Sequence, residues 1–79
     1  MNVRVQLFAS LGRHAPQEGG NAPFPVALNE GATVSDLLDL LAVPEKVVKL
    51  VFVNGVHASG KRCLKDGDRV GVFPPVAGG

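Results

Sequence analysis

The stretch TVSDLLDLL, residues 33–41, carries the clearest long amphipathic helix signal in the chain and decides the fold. Thr33 suits the N-cap position, and Asp36 three residues later is a short variant of the capping-box acid. The apolar residues that follow recur at the i, i+3, i+4 and i+7 spacing of one helix face; they are Val34, Leu37, Leu38 and Leu41. We therefore expect one helix with a single apolar face that packs on a sheet.

The residues before this helix predict two strands joined by a loop. Residues 1–8 alternate between apolar and polar side chains, which is the period-2 pattern of a half-buried strand. Residues 24–28 alternate again, and Pro25 lacks the N–H that a central strand would need, so this strand is expected at a sheet edge. Glycines, prolines and polar residues fill residues 10–23, which we predict to be a loop.

The residues after the helix predict a hairpin. Pro44 is expected to end or restart the helix, because the residue before a proline is pushed out of the α region. Residues 45–49 are then expected to form a short helical turn. Residues 50–53, LVFV, predict a strand covered on both faces or nearly so, and Asn54-Gly55 is a dipeptide that favours a tight hairpin turn into a short strand.

The last predicted strand runs from Arg69 to Phe73. Its alternation directs Val70 and Val72 to one face and Gly71 and Phe73 to the other. If the two valines face the helix, Gly71 and Phe73 lie on the open side of the sheet, and Phe52 is a candidate for the same side. An exposed apolar patch there would mark a protein partner. The alternative is that Phe73 caps the core.

The order strand, strand, helix, strand, short strand, strand limits the topology. One helix must cover one face of a single mixed sheet of four to five strands, and the crossover must be right-handed. The first and last strands can then lie parallel to each other at the sheet centre. This arrangement resembles the ubiquitin-like β-grasp, an α+β fold, and we expect that fold partly from the topology and partly from the resemblance. A ferredoxin-like sheet with a missing helix is permitted by the same elements and fits one long helix less well.

Size and charge exclude several classes of function. A chain of 79 residues forms one small domain, which buries about 60% of its unfolded surface and leaves little material for a deep enclosed active site. Eight basic and seven acidic residues give a net charge of +1, so nothing indicates a nucleic-acid partner. No apolar run approaches the roughly 20 residues of a membrane span, and a membrane association is not expected.

Few side chains are candidates for chemistry. His14 and His57 are far apart in the sequence and lack paired ligands at metal spacing, so no metal site is predicted. Cys63 is the single cysteine, which suits a reducing compartment, and a cytoplasmic location is expected. The basic residues near Cys63 would be compatible with a reactive thiol, but we favour the interpretation that Cys63 is a small, half-buried packing residue.

The C-terminal tail is the remaining candidate site. We divide the chain into a domain, residues 1–73, and a flexible tail, residues 74–79, with the sequence PPVAGG. Pro74 and Pro75 fix φ and withhold two N–H donors, so the last strand ends there. Two terminal glycines can enter a channel too narrow for any side chain. An ionised terminal carboxylate is unreactive, but attachment of AMP would make it open to attack by a persulfide, thiol or amine.

The whole chain resembles the ThiS/MoaD sulfur-carrier family of β-grasp proteins, and its end is most like the molybdopterin synthase small subunit. The resemblance rests on FVNG at residues 52–55, LKDGD at residues 64–68 followed by Val70, and FPPVAGG at residues 73–79. The internal Gly19-Gly20 departs from the family pattern and cannot be a carrier terminus.

The resemblance implies a non-catalytic carrier that acts as co-substrate of a synthase complex. Gly79 would be adenylated by an E1-like enzyme and converted to a thiocarboxylate, and Gly78 would let the tail enter a partner tunnel. No cofactor is expected to be bound, since the activating partner uses the ATP. The partner that receives the sulfur would be the large molybdopterin synthase subunit or another sulfur-accepting synthase. The expected partner-binding residues are Phe52, Phe73, Pro74, Pro75, Val76 and Ala77.

Three other functions stay open from the sequence. A carrier for thiamine thiazole, amino-acid or tRNA thiolation would need the same tail, and so would a ubiquitin-like modifier conjugated to lysines. A plain binding module with an incidental diglycine is the third possibility.

Overall fold

The computed structural model describes residues 1–16 and 19–75. The regular elements within them are β1 (Asn2–Leu7), β2 (Phe24–Ala27), α1 (Val34–Leu40), β3 (Leu50–Val53), β4 (Val56–His57) and β5 (Arg69–Phe73). Two short 3-10 helices, Ala9–His14 and Glu45–Val47, complete the set. No helix of the described ranges has the length and apolar character of a membrane span.

The five strands form one mixed sheet in the order β2-β1-β5-β3-β4. β1 and β5 are parallel and central, and the other neighbouring pairs are antiparallel. β2, which contains Pro25, lies at one edge as predicted. The predicted mixed sheet, with its two terminal strands parallel at the centre, is confirmed.

The core lies between the sheet and α1. Alternate residues of the central strands and the apolar face of the helix are buried together; the largest of them are Val5, Leu7, Val34, Leu37, Leu38, Val53, Val70 and Val72. The opposite face of the sheet carries no α-helix among the described elements. The face on which β1, β3 and β5 present their other side chains is therefore open.

The start of α1 is fixed by a capping box. The Asp36 amide N–H donates to Thr33 Oγ1 at 3.2 Å, and the Thr33 N–H donates to Asp36 Oδ2 at 2.9 Å. The first two helical N–H groups donate to the carbonyls of Arg62 and Gly60. These bonds satisfy donors that a helix leaves unpaired and attach the helix to the loop after β4.

The end of α1 differs from the prediction. The helix ends at Leu40, before Pro44, because Ala42 adopts a left-handed conformation at φ 58°. The Val43 N–H then donates to the Leu38 carbonyl at 2.9 Å, which closes the last turn. The proline instead precedes the predicted short turn, which is the 3-10 helix Glu45–Val47.

Three other expectations need correction. Residues 10–23 are not loop throughout, since the 3-10 helix Ala9–His14 buries Leu11. β3 is not covered on both faces, because Leu50 is 38% exposed. Cys63 is exposed and so is not the half-buried packing residue that was favoured.

Candidate functional site

Three aromatic side chains gather on the open face of the sheet. The rings of Phe8 and Phe73 stack with centroids 4.1 Å apart, and Phe52 meets Phe73 edge to face at 5.7 Å. His57 meets the other side of Phe52 at 5.8 Å. All three phenylalanines are half-buried. We call Phe8, Phe52 and Phe73 the aromatic face.

The register of the strands explains this gathering. Gly71 of β5 lies opposite Phe52 of β3, and Phe73 lies opposite Leu50. Residues two apart on a strand share a face, so Gly71 and Phe73 lie on the side away from α1 while Val70 and Val72 are buried. The predicted orientation of this strand is confirmed.

A notch lies at the centre of the aromatic face. Gly71 has no side chain, and a Cβ placed there would contact the rings of Phe8 and Phe73 at 3.4 Å. The surrounding concavity is lined by these rings and by Phe52, with Arg4 and Arg69 at one end. It is shallow and open, so it fits a protruding side chain of another protein better than an enclosed small molecule.

The tail leaves the domain beside the aromatic face. β5 ends at Phe73, and Pro74 and Pro75 follow it directly. The prolines line a concavity together with Leu11 of the first 3-10 helix and Val47 of the second. The Lys49 N–H donates to the Phe73 carbonyl at 2.8 Å, which fixes the last residue of the strand. The tail therefore starts from a firmly held point.

The remaining tail residues of the predicted site lie outside the described residues; they are Val76, Ala77, Gly78 and Gly79. Their assigned roles stay predictions. The other predicted binding residues, Phe52, Phe73, Pro74 and Pro75, are placed near the start of the tail. Sequence reasoning missed Phe8, because it was taken only as the end of the first strand.

The described part of the chain offers little other chemistry. Within residues 1–16 and 19–75, no group of three His, Cys, Asp or Glu side chains could hold a metal ion. His57 is exposed on β4, and His14 ends the first 3-10 helix. The aromatic face and the start of the tail are therefore the candidate site that the described residues offer.

Comparison with known proteins is consistent with this geometry. A model described as the ThiS family matches residues 5–79. No curated protein sequence gives a significant match.

Three solved structures show the breadth of the similarity. SAMP1 from Haloferax volcanii is 28% identical with a TM-score of 0.74, and the alignment covers 100% of both chains. A putative molybdopterin converting factor subunit 1 from Pyrococcus furiosus is 34% identical with a TM-score of 0.72, covering 95% of this chain and 98% of that one. Subunit 1 in a complex of subunits 1 and 2 of the molybdopterin-converting factor from Helicobacter pylori is 24% identical with a TM-score of 0.62, covering 100% of both. These similarities confirm the β-grasp fold.

Proposed function

Because the chain belongs to the ThiS family, we propose that it is a sulfur carrier whose C-terminal residue, Gly79, bears the transferred sulfur. An E1-like partner uses ATP to attach AMP to the Gly79 carboxylate and releases pyrophosphate. Hydrosulfide supplied by a partner then attacks the acyl carbon and displaces AMP, and the resulting thiocarboxylate donates its sulfur inside a second enzyme. The carrier is the co-substrate of both enzymes and binds no cofactor itself.

The observation that carries this proposal is the extent of the family match, which continues from residue 5 through the diglycine to residue 79. The tail is thus part of the family pattern. The fold supports the same conclusion, since the central strand β5 leads directly into Pro74 and Pro75.

The aromatic face supplies the docking surface in this proposal. Half-buried phenylalanines at a shallow notch are typical of the anchors that dominate protein interfaces. Phe73 belongs both to this face and to the start of the tail, so a partner that takes in the tail also covers the rings. Val76, Ala77 and Gly78 then extend into the partner towards its reacting groups.

For the receiving pathway, we propose molybdopterin biosynthesis, with the large molybdopterin synthase subunit as partner. Support comes from the 34% identity to the Pyrococcus furiosus protein over 95% of this chain. The Helicobacter pylori structure is a complex of two subunits of the corresponding factor, which offers a template for such an assembly. Carriers for thiazole, amino-acid or tRNA thiolation would use the same chemistry at Gly79.

A second candidate function is protein modification. It is favoured by the similarity to small archaeal modifier protein 1 from Haloferax volcanii, which is 28% identical over 95% of this chain. In this alternative a lysine amine, instead of a sulfur nucleophile, displaces AMP from Gly79 and forms an isopeptide bond.

One experiment separates the two functions. The carrier is incubated with the adenylating enzyme, ATP and a sulfur source, and its intact mass is measured; thiocarboxylation replaces one oxygen by sulfur. The tagged carrier is also expressed in cells and examined for gel-shifted conjugates that are lost when Gly79 is deleted. The sulfur-carrier proposal predicts the mass change without conjugates. Conjugates with no mass change would favour the modifier.

A further inference from the structure

Two arginines lie side by side on the open face of the sheet. Arg4 of β1 is the register partner of Arg69 on the parallel strand β5. Both residues are exposed and belong to the concavity that contains the notch over Gly71. Neighbouring strands are about 4.8 Å apart, so two positive side chains start from adjacent points of the same surface.

No carboxylate of the described residues neutralises this pair. Among residues 1–16 and 19–75 the single ion pair within 4.0 Å joins the Met1 amino group to Glu30, so neither guanidinium takes part in one. The nearby Asp68 carboxylate is occupied, since it accepts from Asn54 Nδ2 at 2.9 Å and from the Lys65 N–H at 2.8 Å. Like charges directly opposite each other in a sheet are destabilising, so this pair does not serve the fold.

The main chain of both arginines is held in place. The Arg69 N–H donates to Asn54 Oδ1 at 2.9 Å, and the Arg69 carbonyl accepts from the Asn54 N–H at 2.8 Å. The Arg4 N–H donates to the Asp68 carbonyl at 2.9 Å. The two arginine side chains therefore start from fixed backbone positions beside the notch.

We propose that Arg4, Arg69 and the notch over Gly71 form one recognition surface for an acidic segment with a protruding apolar side chain on the enzyme that activates Gly79. The apolar side chain enters the notch between Phe8, Phe52 and Phe73. Its acidic neighbours pair with the two guanidinium groups, which favour planar contacts with carboxylates. This inference rests on the proposed function in one respect, because it takes the partner of the tail to be an adenylating enzyme.

The position of the surface puts it within reach of a partner that holds the tail. Arg69, Gly71 and Phe73 alternate along β5, and the strand continues into the tail. Four residue-to-residue steps of strand lead from Arg69 to Phe73, which is about 13 Å. A standard interface buries about 800 Å² on each partner, so it spans this whole distance. An enzyme that holds the tail thus also reaches the arginines, and charge complementarity requires acidic groups there.

The test is a calorimetric titration of the full-length carrier into the adenylating enzyme without ATP, at about 50 and about 200 mM salt. Charge reversal in R4E/R69E is compared with the matched control K61E/R62E. The control residues are exposed and lie in the loop whose carbonyls bind the start of α1, on the other side of the sheet. A third variant, G71A, fills the notch without changing charge.

We expect R4E/R69E to raise Kd about tenfold or more and to flatten the salt dependence of Kd, because complementary charges across an interface mainly govern the association rate and the specificity. K61E/R62E should stay within about twofold of the wild type. G71A should raise Kd while keeping the salt dependence, with a thermal midpoint no lower than that of the wild type. Equal Kd and equal salt dependence for the wild type and R4E/R69E would overturn the inference, as would a wild-type carrier that does not bind.

A parallel mass measurement keeps this inference separate from the proposed function. Binding that depends on the arginines, with no thiocarboxylation of the wild type, would defeat the proposed chemistry and support the recognition surface. Thiocarboxylation with an R4E/R69E variant that binds normally would defeat the recognition surface alone.

A second copy of the chain is the competing occupant. Leu40 is 60% exposed on α1, close to Asp36 and Asp39, and so offers an apolar residue among acids. Sedimentation that shows self-association abolished by both R4E/R69E and D39K would assign the surface to a second copy and overturn the inference. A monomer at all concentrations supports it.

Discussion

The rings of Phe8 and Phe73 lie parallel to each other, inclined by 6° with centroids 4.1 Å apart. Phe8 follows β1 and Phe73 ends β5, so the stack joins the ends of the two parallel central strands. Because Phe73 also precedes the tail, this contact fixes the point from which the tail leaves the domain. The stability of the domain and the proposed docking therefore depend on the same pair.

Removal of either ring should reveal this coupling. We expect Phe8→Ala and Phe73→Ala each to lower the free energy of unfolding by about 1–3 kcal/mol, less than for fully buried rings, because both are half-buried. The double variant should cost less than the sum by about 0.5–1.5 kcal/mol, which is the energy typical of an aromatic pair. Urea denaturation measures all three. Additive losses would show that there is no coupling energy between the two stacked rings.

The turn residue Asn54 should show two separable contributions to stability. It has φ 52°, and its side chain bonds both to Asp68 and to the Arg69 N–H. Asn54→Gly removes the two hydrogen bonds, but glycine readily adopts the positive φ of this position. The free energy of unfolding is therefore expected to fall by about 1–2 kcal/mol. Asn54→Ala should lose about 1 kcal/mol more, because alanine is strained in the left-handed region. Thermal unfolding of both variants gives the difference, and equal losses would contradict the strain.

A stabilising substitution is expected at the end of α1. Ala42 has φ 58°, a conformation in which glycine is favoured after a helix. Ala42→Gly should raise the free energy of unfolding by up to about 1 kcal/mol. The matched control is Ala27→Gly in the edge strand β2, which should lower it by about 0.5–1 kcal/mol. A loss of stability in Ala42→Gly would show that the left-handed turn is not strained.

The sequence predicted the elements whose signals are local. The alternation of residues 1–8 and 69–73 and the helical spacing of residues 33–41 each reflect one buried face, and the structure has β1, β5 and α1 at those places. The Asn54-Gly55 turn was also predicted from a local signal, and it is confirmed because both residues have the positive φ that such a hairpin requires.

The elements that the sequence did not predict depend on contacts far along the chain. The 3-10 helix Ala9–His14 is held by the Gly12 carbonyl, which accepts from Gly20, and by the Asn21 side chain, which donates to the carbonyls of Leu7 and Ala9. The aromatic face was only partly foreseen for a similar reason. An apolar run such as LVFV does not show which of its residues a sheet leaves uncovered, and the contribution of Phe8 depends on the parallel pairing of β1 with β5.

The central claim is that sulfur is carried on Gly79, and fragmentation of the C-terminal peptide by mass spectrometry tests it most directly. The carrier is incubated with the adenylating enzyme, ATP and an isotopically labelled sulfur source, with a reaction lacking ATP as control. A Cys63→Ser carrier is run alongside, because the exposed thiol of Cys63 could itself take up sulfur. The account predicts one labelled sulfur in place of a carboxylate oxygen of Gly79, dependent on ATP and unchanged in Cys63→Ser. Label confined to Cys63, or a Gly79 carboxylate that stays unlabelled while the enzyme is active, would contradict it.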